Sequence, residues 1–448
     1  METSKISFLS ALLITMNIMI GAGIYISPPD MAIVAGAYSY WGWFAAFLVL
    51  LPVVLSFSKL AAYYPGEGGI YNYVKDSLGV FSGFITAWIY FLGFVGAQCI
   101  QTFALRELVG YSMNSQFILD TPWVFNLVFH GSLFLLCWFS MTVIAKWQTL
   151  ITVLKLSPLF FVVGYLLLNP FKGASSATEM INATASSIPH PETWSEILSL
   201  VWKTVPYAIF GYWGFEACSN ISHRISGSKK NASRVIVLGF FIVCSLYSLF
   251  HFEVIRLMGA QGLYEHKVEG FMTYAGWTNV TILRVSSIIF MSCLSISYFN
   301  AVFSEFLSYS FVIKNLGQEK LFLFPERMRS FNKNAQPTYA IFVNGFLCFL
   351  IASLVKDKSS LLAIANIGII ISFAMALLAL LKISLREKDY TYVAISLLGF
   401  VSCYLITMFS LGILEGDFSK ISLLIFLVII GIGIYFYRMS RLKLEKSN

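Results

Sequence analysis

Apolar runs of about twenty residues, separated by short polar or charged connections, repeat along the whole chain. One helical crossing of a bilayer needs about 20 apolar residues. Twelve stretches meet that length, at roughly 6–36, 39–62, 80–106, 122–142, 146–168, 196–222, 233–256, 278–311, 337–356, 359–382, 390–412 and 420–438. The pattern predicts an all-α polytopic membrane protein, a single transmembrane domain over residues 1–448 with no hydrophilic segment large enough for a second unit. An even number of crossings puts both termini on one side. Of the 30 Lys and Arg, 20 fall in the termini and even-numbered connections, seven on the other side, and three (Lys155, Lys203, Arg284) within or at the edges of the runs. The positive-inside bias therefore predicts that both termini are cytoplasmic.

The first run is interrupted. In "NIMIGAGIYISPPD", Asn17 to Asp30, two glycines and then two adjacent prolines break what hydropathy would otherwise read as a continuous helix. A break inside lipid leaves peptide groups without partners, each costing several kcal/mol unless protein, ligand or water satisfies them. Amides released at Gly21, Ala22, Gly23 and Ile24 would sit at the positive end of a second half-helix and attract a carboxylate. Carbonyls around Met19, ending the first half, would attract an ammonium. A second interruption, "FGYWGFEA" at 210–217, lies midway through the sixth run. The two breaks are five runs apart, so they cross in opposite directions, as in an inverted repeat of five plus five helices with its site between the repeats. That divides the chain into repeat one at about 6–168, repeat two at about 196–382, and two further helices at about 390–438. The competing reading is that the glycines only allow close helix packing.

Composition agrees with the membrane assignment: 58% of residues are hydrophobic, 12% are charged and mean hydropathy is +0.77, whereas a soluble domain carries about a quarter charged residues. The net charge of +8 follows from the topology bias and anionic headgroups. No basic module outside the bilayer suggests nucleic-acid binding. The seven cysteines all lie in apolar runs without a CxxC pair, so neither a disulfide framework nor a metal site is expected. His130 and His251 lie in separate runs without carboxylate or cysteine spacing, and read as satisfied buried histidines. "PGEGG" at 65–69 lacks P-loop spacing and reads as part of an inner gate. No cofactor is expected, since no ATP site, haem ligand set or redox motif occurs.

The order "NIMIGAGIYISPPDMAIVAGAYSYWGW", "YYPGEGGIYNYV", "GFEACSN" and "FNKNAQPTYAIF" resembles the amino acid–polyamine–organocation transporters, from Lys5 to about residue 345. The resemblance implies a LeuT-type fold with helices 1 and 6 broken. It also implies an amino acid substrate whose carboxylate meets the amides of Ala22 and Gly23 and whose amine meets carbonyls of Met19, Phe210 and Trp213. Phe210 matches the family's aromatic lid. Gln98, Gln101, Phe299 and Asn366 are candidate side-chain lining groups, with ordinary interhelical packing as the alternative. The segment "SNISHRISGSKKNASRVI" departs from the acidic residue and Asn-Pro turn common after the family's sixth span, which leaves the subfamily open.

Two buried charges stand out. Lys155, in "TVLKLSPLFFVV", cannot readily snorkel from mid-span and needs a partner or neutralisation. By resemblance it takes the place of a sodium ion in sodium-coupled relatives, giving sodium-independent and possible proton-coupled transport; alternatively it neutralises carbonyls at the break. Glu216 matches the acidic position of the family's G-F-E segment, either as a carboxyl that titrates during transport or as a packing carboxyl. Glu305 is expected near the cytoplasmic end of its helix, in water.

These readings lead to a secondary active transporter of amino acids working by alternating access, with protons as possible co-substrate, in a cell membrane, the bacterial inner one by family likeness. The nearest alternative is exchange of an amino acid for its decarboxylated amine, a polyamine-type antiport. A membrane-embedded acyltransferase would need a convergent His with Asp, Glu or Ser, which is not found. A channel would need a continuous lined pore. Oligomeric state is left open.

Overall fold

The computed structural model describes residues 7–64, 69–139, 141–168, 188–189, 191–216, 225, 230–274, 280–322, 324–334, 336–355, 357–411 and 416–447. Most of "PGEGG", most of the long connection after residue 168, and "SNISHRISGSKK" up to residue 229 except residue 225 lie outside the described residues.

The protein is all-helical, and its helices follow the apolar runs. The first run forms α1 (Phe8–Met19) and α2 (Gly23–Ala35), and the second forms α3 (Trp41–Tyr63). A short α4 (Gly69–Leu78) precedes α5 (Val80–Ser112), α6 (Pro122–Leu136) and α7 (Met141–Leu168). The second half holds α8 (Trp194–Phe210), α9 (Lys230–His266, interrupted at Gly259), α10 (Val280–Gln318), α11 (Thr338–Leu354) and α12 (Lys358–Glu387). Two more helices follow, α13 (Tyr390–Leu411) and α14 (Gly416–Ser447).

Among the described residues, seven helices are long and apolar enough to cross a membrane, and eight if α1 and α2 count as one bent crossing. The chain is therefore a multi-pass membrane protein. Exposed Leu, Ile and Val cover the outer faces of α6, α10 and α13, which in water would be an unsupportable apolar surface and in lipid is the expected one.

The helices pack in two groups. The first comprises α1, α2, α3, α8 and α9, joined by α2 against α8, α3 against α8 and α9, and α1 and α2 against α9. The second joins α5 to α10, α11 and α12, α10 to α7, and α6 to α11. With α13 packed on α12, the groups meet mainly along α3–α13, α7–α9, α8–α13 and α3–α12. Ion pairs tie them at both ends: Lys358–Asp30 at 2.6 Å where α12 begins, and Lys59–Asp389 at 3.0 Å where α12 ends.

Candidate functional site

The first break expected from the sequence is present where α1 gives way to α2; at the second, α8 ends at Phe210 in a turn. The axes of residues 11–19 and 23–38 differ by 42°. In a continuous helix the Gly21 amide would bond the Asn17 carbonyl; instead it reaches the Met19 carbonyl at 2.7 Å. The amides of Ala22, Gly23 and Ile24 make no hydrogen bond among the described residues. Three free amides, not the four expected, thus open at the N-terminus of α2. At the second break Gly211 and Tyr212 turn back onto Ala208 and Ile209 at 3.0 and 2.9 Å, and α8 stops. Beyond Glu216, the segment that would continue it lies outside the described residues.

The breaks touch through glycines. A Cβ on Gly23 would lie 2.6 Å from Gly211 Cα, and one on Gly214 would lie 2.7 Å from Ile18 Cγ2. Gly214 has φ +104°, a backbone conformation that side chains strongly disfavour. The Phe210 ring stands beside Gly23 and is buried, where the resemblance puts a lid.

Side chains reach several of the carbonyls that the breaks release. Lys155 Nζ donates to the Asn17 carbonyl at 2.7 Å and to Asn17 Oδ1 at 3.2 Å. The Tyr247 hydroxyl lies 2.8 Å from the Met19 carbonyl and 3.1 Å from that of Gly211, sharing its one proton between the two breaks. Ser27 Oγ donates to the Tyr207 carbonyl at 2.8 Å, whose usual acceptance from Gly211 is lost at the turn. The Met19 carbonyl, expected to receive an ammonium, therefore already accepts from Gly21 and Tyr247 in this conformation. No hydrogen bond reaches the Phe210 carbonyl among the described residues.

The remaining expected residues are placed as follows. Lys155 is 1% exposed and reaches the end of α1 instead of Gly21 to Gly23 themselves. Glu216 accepts from Tyr90 Oη at 2.7 Å and from the Gly214 amide at 3.1 Å, bracing the turn after α8. Trp213 turns its indole to Asn366 Oδ1 at 2.9 Å, and Asn366 Nδ2 donates to the Pro206 carbonyl at 3.1 Å. Phe299 is not brought to the breaks. It packs at 6.1 Å from the ring of Phe129 and lines a groove of about 460 Å³ with Leu105, Phe125 and Leu154. Glu305 is not in water near a helix end: α10 runs on to Gln318, and the Glu305 carboxylate packs against α5, accepting from Gln101 at 2.9 Å. His251 pairs with Trp43 Nε1 at 3.0 Å and Ser39 at 3.2 Å, as a satisfied buried histidine. Asn17, Tyr247 and Ser27 were missed by sequence reasoning. Asn17 carried a signal, being a lone amide side chain just before the glycines in an apolar run; Tyr247 and Ser27 carried none.

The chain matches the family described as amino acid permease over residues 6–435. It is similar to the glutamate/serine transporter AimA of Bacillus subtilis, 22% identical over 465 aligned positions that cover 97% of this chain and 81% of the relative. It is also similar to an L-lysine transport protein of Corynebacterium glutamicum, 28% identical over 254 positions, 55% of this chain and 48% of the relative.

Proposed function

The chain belongs to the amino acid permease family, and from that premise we propose that it is a secondary active transporter that moves amino acids across a cell membrane by alternating access. The observation that carries the reading is the row of free amides at the first break. Of the carbonyls it releases, those of Asn17 and Met19 are met by Lys155 and Tyr247, while among the described residues the amides of Ala22, Gly23 and Ile24 make no hydrogen bond. Bare amides at a helix N-terminus favour an anion, and an α-carboxylate is the anion every amino acid carries. The ammonium then falls to the second break, at the Phe210 carbonyl and on the Trp213 side, with Phe210 closing over it.

Twelve crossings in an inverted five-plus-five repeat, 6–168 and 196–382 with two helices appended, fit the packing. The first crossing packs on the seventh as the sixth does on the second, and the third on the tenth as the eighth does on the fifth, which is the pairing that a pseudo-twofold axis relates. The first helix group would rock against the second, with Lys358–Asp30 and Lys59–Asp389 parting at opposite ends. The Lys/Arg distribution supports cytoplasmic termini, and the bacterial inner membrane is the proposed location. Lys155 donates to the Asn17 carbonyl at the end of α1, near where the resemblance implies a lysine in place of a sodium ion; this supports sodium-independent transport, with coupling to protons through Lys155 and Glu216 or to counter-exchange.

The two relatives carry different substrates in their names, so neither is transferred. Thermal-shift measurements of the purified protein against the twenty amino acids, putrescine and agmatine test the reading; no shift with any amino acid contradicts it. Labelled substrate that leaves proteoliposomes only when counter-substrate is present outside would assign exchange.

A further inference from the structure

The helices α5 and α10 carry a set of buried polar atoms, among them those of the candidate lining residues Gln98 and Gln101, for which no chemistry has been assigned above. Ala301 of α10 faces the first break, 3.7 Å from where a Cβ on Gly21 would sit. One turn further along the same face, Glu305 Oε1 accepts from Gln101 Nε2 at 2.9 Å, while Oε2 is buried and meets no partner. Gln101 Oε1 is likewise buried and unpartnered, and so is Oε1 of Gln98, one turn earlier on α5. Gln98 and Gln101 are 0% and 3% exposed, and the Gln98 amide nitrogen is used on the Phe94 carbonyl at 3.2 Å.

Three buried acceptor oxygens on α5 and α10 are therefore left without a hydrogen-bond donor. Orphan acceptors are uncommon in folded proteins and costly in a membrane interior. The groups that carry several N–H donors and no acceptor are ammonium and guanidinium; a hydroxyl or carboxamide would bring an acceptor of its own. The charges facing Glu305 point the same way. Lys155 of α7, Glu216 after α8, Tyr309 of α10 and Cys348 of α11 are within its electrostatic reach. The Lys155 ammonium is engaged by Asn17 through its carbonyl and Oδ1. Lys155 is thus committed to the first break, and among the described residues no cationic side chain is hydrogen-bonded to Glu305.

We propose that Gln98, Gln101 and Glu305 form the side-chain end of the substrate site and that it takes a cationic group, so that the transported molecule is a basic amino acid. This rests on the transport reading and on the α-carboxylate lying at Ala22 to Ile24. One helical turn from Ala301 to Glu305 is about 6 Å, which matches the flexible four-carbon stem of a lysine.

The test is saturable uptake of labelled lysine, arginine and ornithine by full-length protein in proteoliposomes, beside serine, leucine, glutamine and glutamate. Uptake of a basic amino acid is expected, with KM for it raised about tenfold or more in Glu305→Gln and in Gln101→Met, while competition by glutamine is weakened less. Uptake of neutral or acidic amino acids alone overturns the proposal and leaves the transport reading standing; no saturable uptake of any amino acid removes both. If one variant does not fold, the other still decides, because an unchanged lysine KM in a folded variant overturns the subsite. A Glu305→Gln protein that loses pH dependence of uptake but keeps its lysine KM would place a proton there instead, and that result also overturns it.

Discussion

Replacing Gly23 by alanine asks whether the two breaks are in contact at the centre of the protein. The added Cβ would lie 2.6 Å from Gly211 Cα, 3.1 Å from Gly211 N and 3.4 Å from Phe210 Cδ1. The first two are main-chain atoms, so no rotamer change relieves them. Carbon atoms rest about 3.5–4.0 Å apart, so the backbones must separate by roughly 1 Å. Overpacking of this kind costs about 1–3 kcal/mol. If the cost falls on one of the two end states and not the other, the equilibrium between them moves by roughly 5- to 150-fold. We expect Gly23→Ala to lower the thermal midpoint of purified protein and to reduce the rate of saturable uptake by roughly fivefold or more. Gly131→Ala and Gly164→Ala are the controls. Both glycines are helical and nothing lies within 4 Å of their added Cβ, so each should be neutral or gain up to about 1 kcal/mol of helix propensity. Wild-type uptake and midpoint in Gly23→Ala would refute the contact between the breaks.

Three further outcomes follow from the same geometry. Tyr247→Phe removes the donor to the Gly211 carbonyl while Met19 keeps its bond from Gly21; stability in detergent should fall by about 1–3 kcal/mol, and an unchanged denaturation curve would contradict the bridge. Lys155→Met keeps side-chain bulk but leaves the Asn17 carbonyl without its ammonium, so a loss of about 1–3 kcal/mol is expected. In the same variant an unaltered pH profile of uptake would end the proposed coupling role. The hydrogen bond from Lys59 holds the Asp389 carboxyl below its usual range, so the folded state favours the ionised form. That stabilisation is present above the unfolded value of about 3.9 and disappears as pH falls through the lower folded value. Thermal denaturation should show wild type more stable than Asp389→Asn near neutrality and the two converging in acid. A difference that stays undiminished as pH falls well below about 3.9 would contradict it.

The helices and the first break were legible because hydropathy over twenty residues and a glycine pair before a proline pair are strong local signals. Twelve apolar runs each hold a helix or a helix pair, and the turn falls at Ile20 to Ala22 as the glycines indicate. What covers the released carbonyls was not legible, because it depends on how distant helices are rotated. Hydropathy puts Tyr247 inside the seventh run, but nothing local says which face it occupies or that it reaches Met19. Rotation also explains α10. Residues two apart in a helix point about 200° apart, so once Ala301 faces Gly21, Phe299 must face away. That leaves Phe299 in the groove with Phe129, and it brings Glu305, four residues after Ala301, round to the first break's side.

This division has a consequence for specificity. On the proposed reading, the parts of the substrate common to all amino acids meet main-chain atoms: amides of Ala22, Gly23 and Ile24 for the carboxylate, and the Phe210 carbonyl for the ammonium. Side-chain substitutions leave main-chain dipoles in place, provided the glycine contacts between the breaks are kept. The part of the substrate that varies meets α5 and α10, which belong to the other helix group and supply side chains only. Selectivity can therefore change through Gln98, Gln101 and Glu305 without rebuilding the breaks. Recognition of the zwitterion is in turn tied to the glycines at 23, 211 and 214, whose close contacts leave no room for a Cβ. The moving group holds what all substrates share and the opposing group reads what distinguishes them, so a substrate completes the contact between the groups only when both ends are matched.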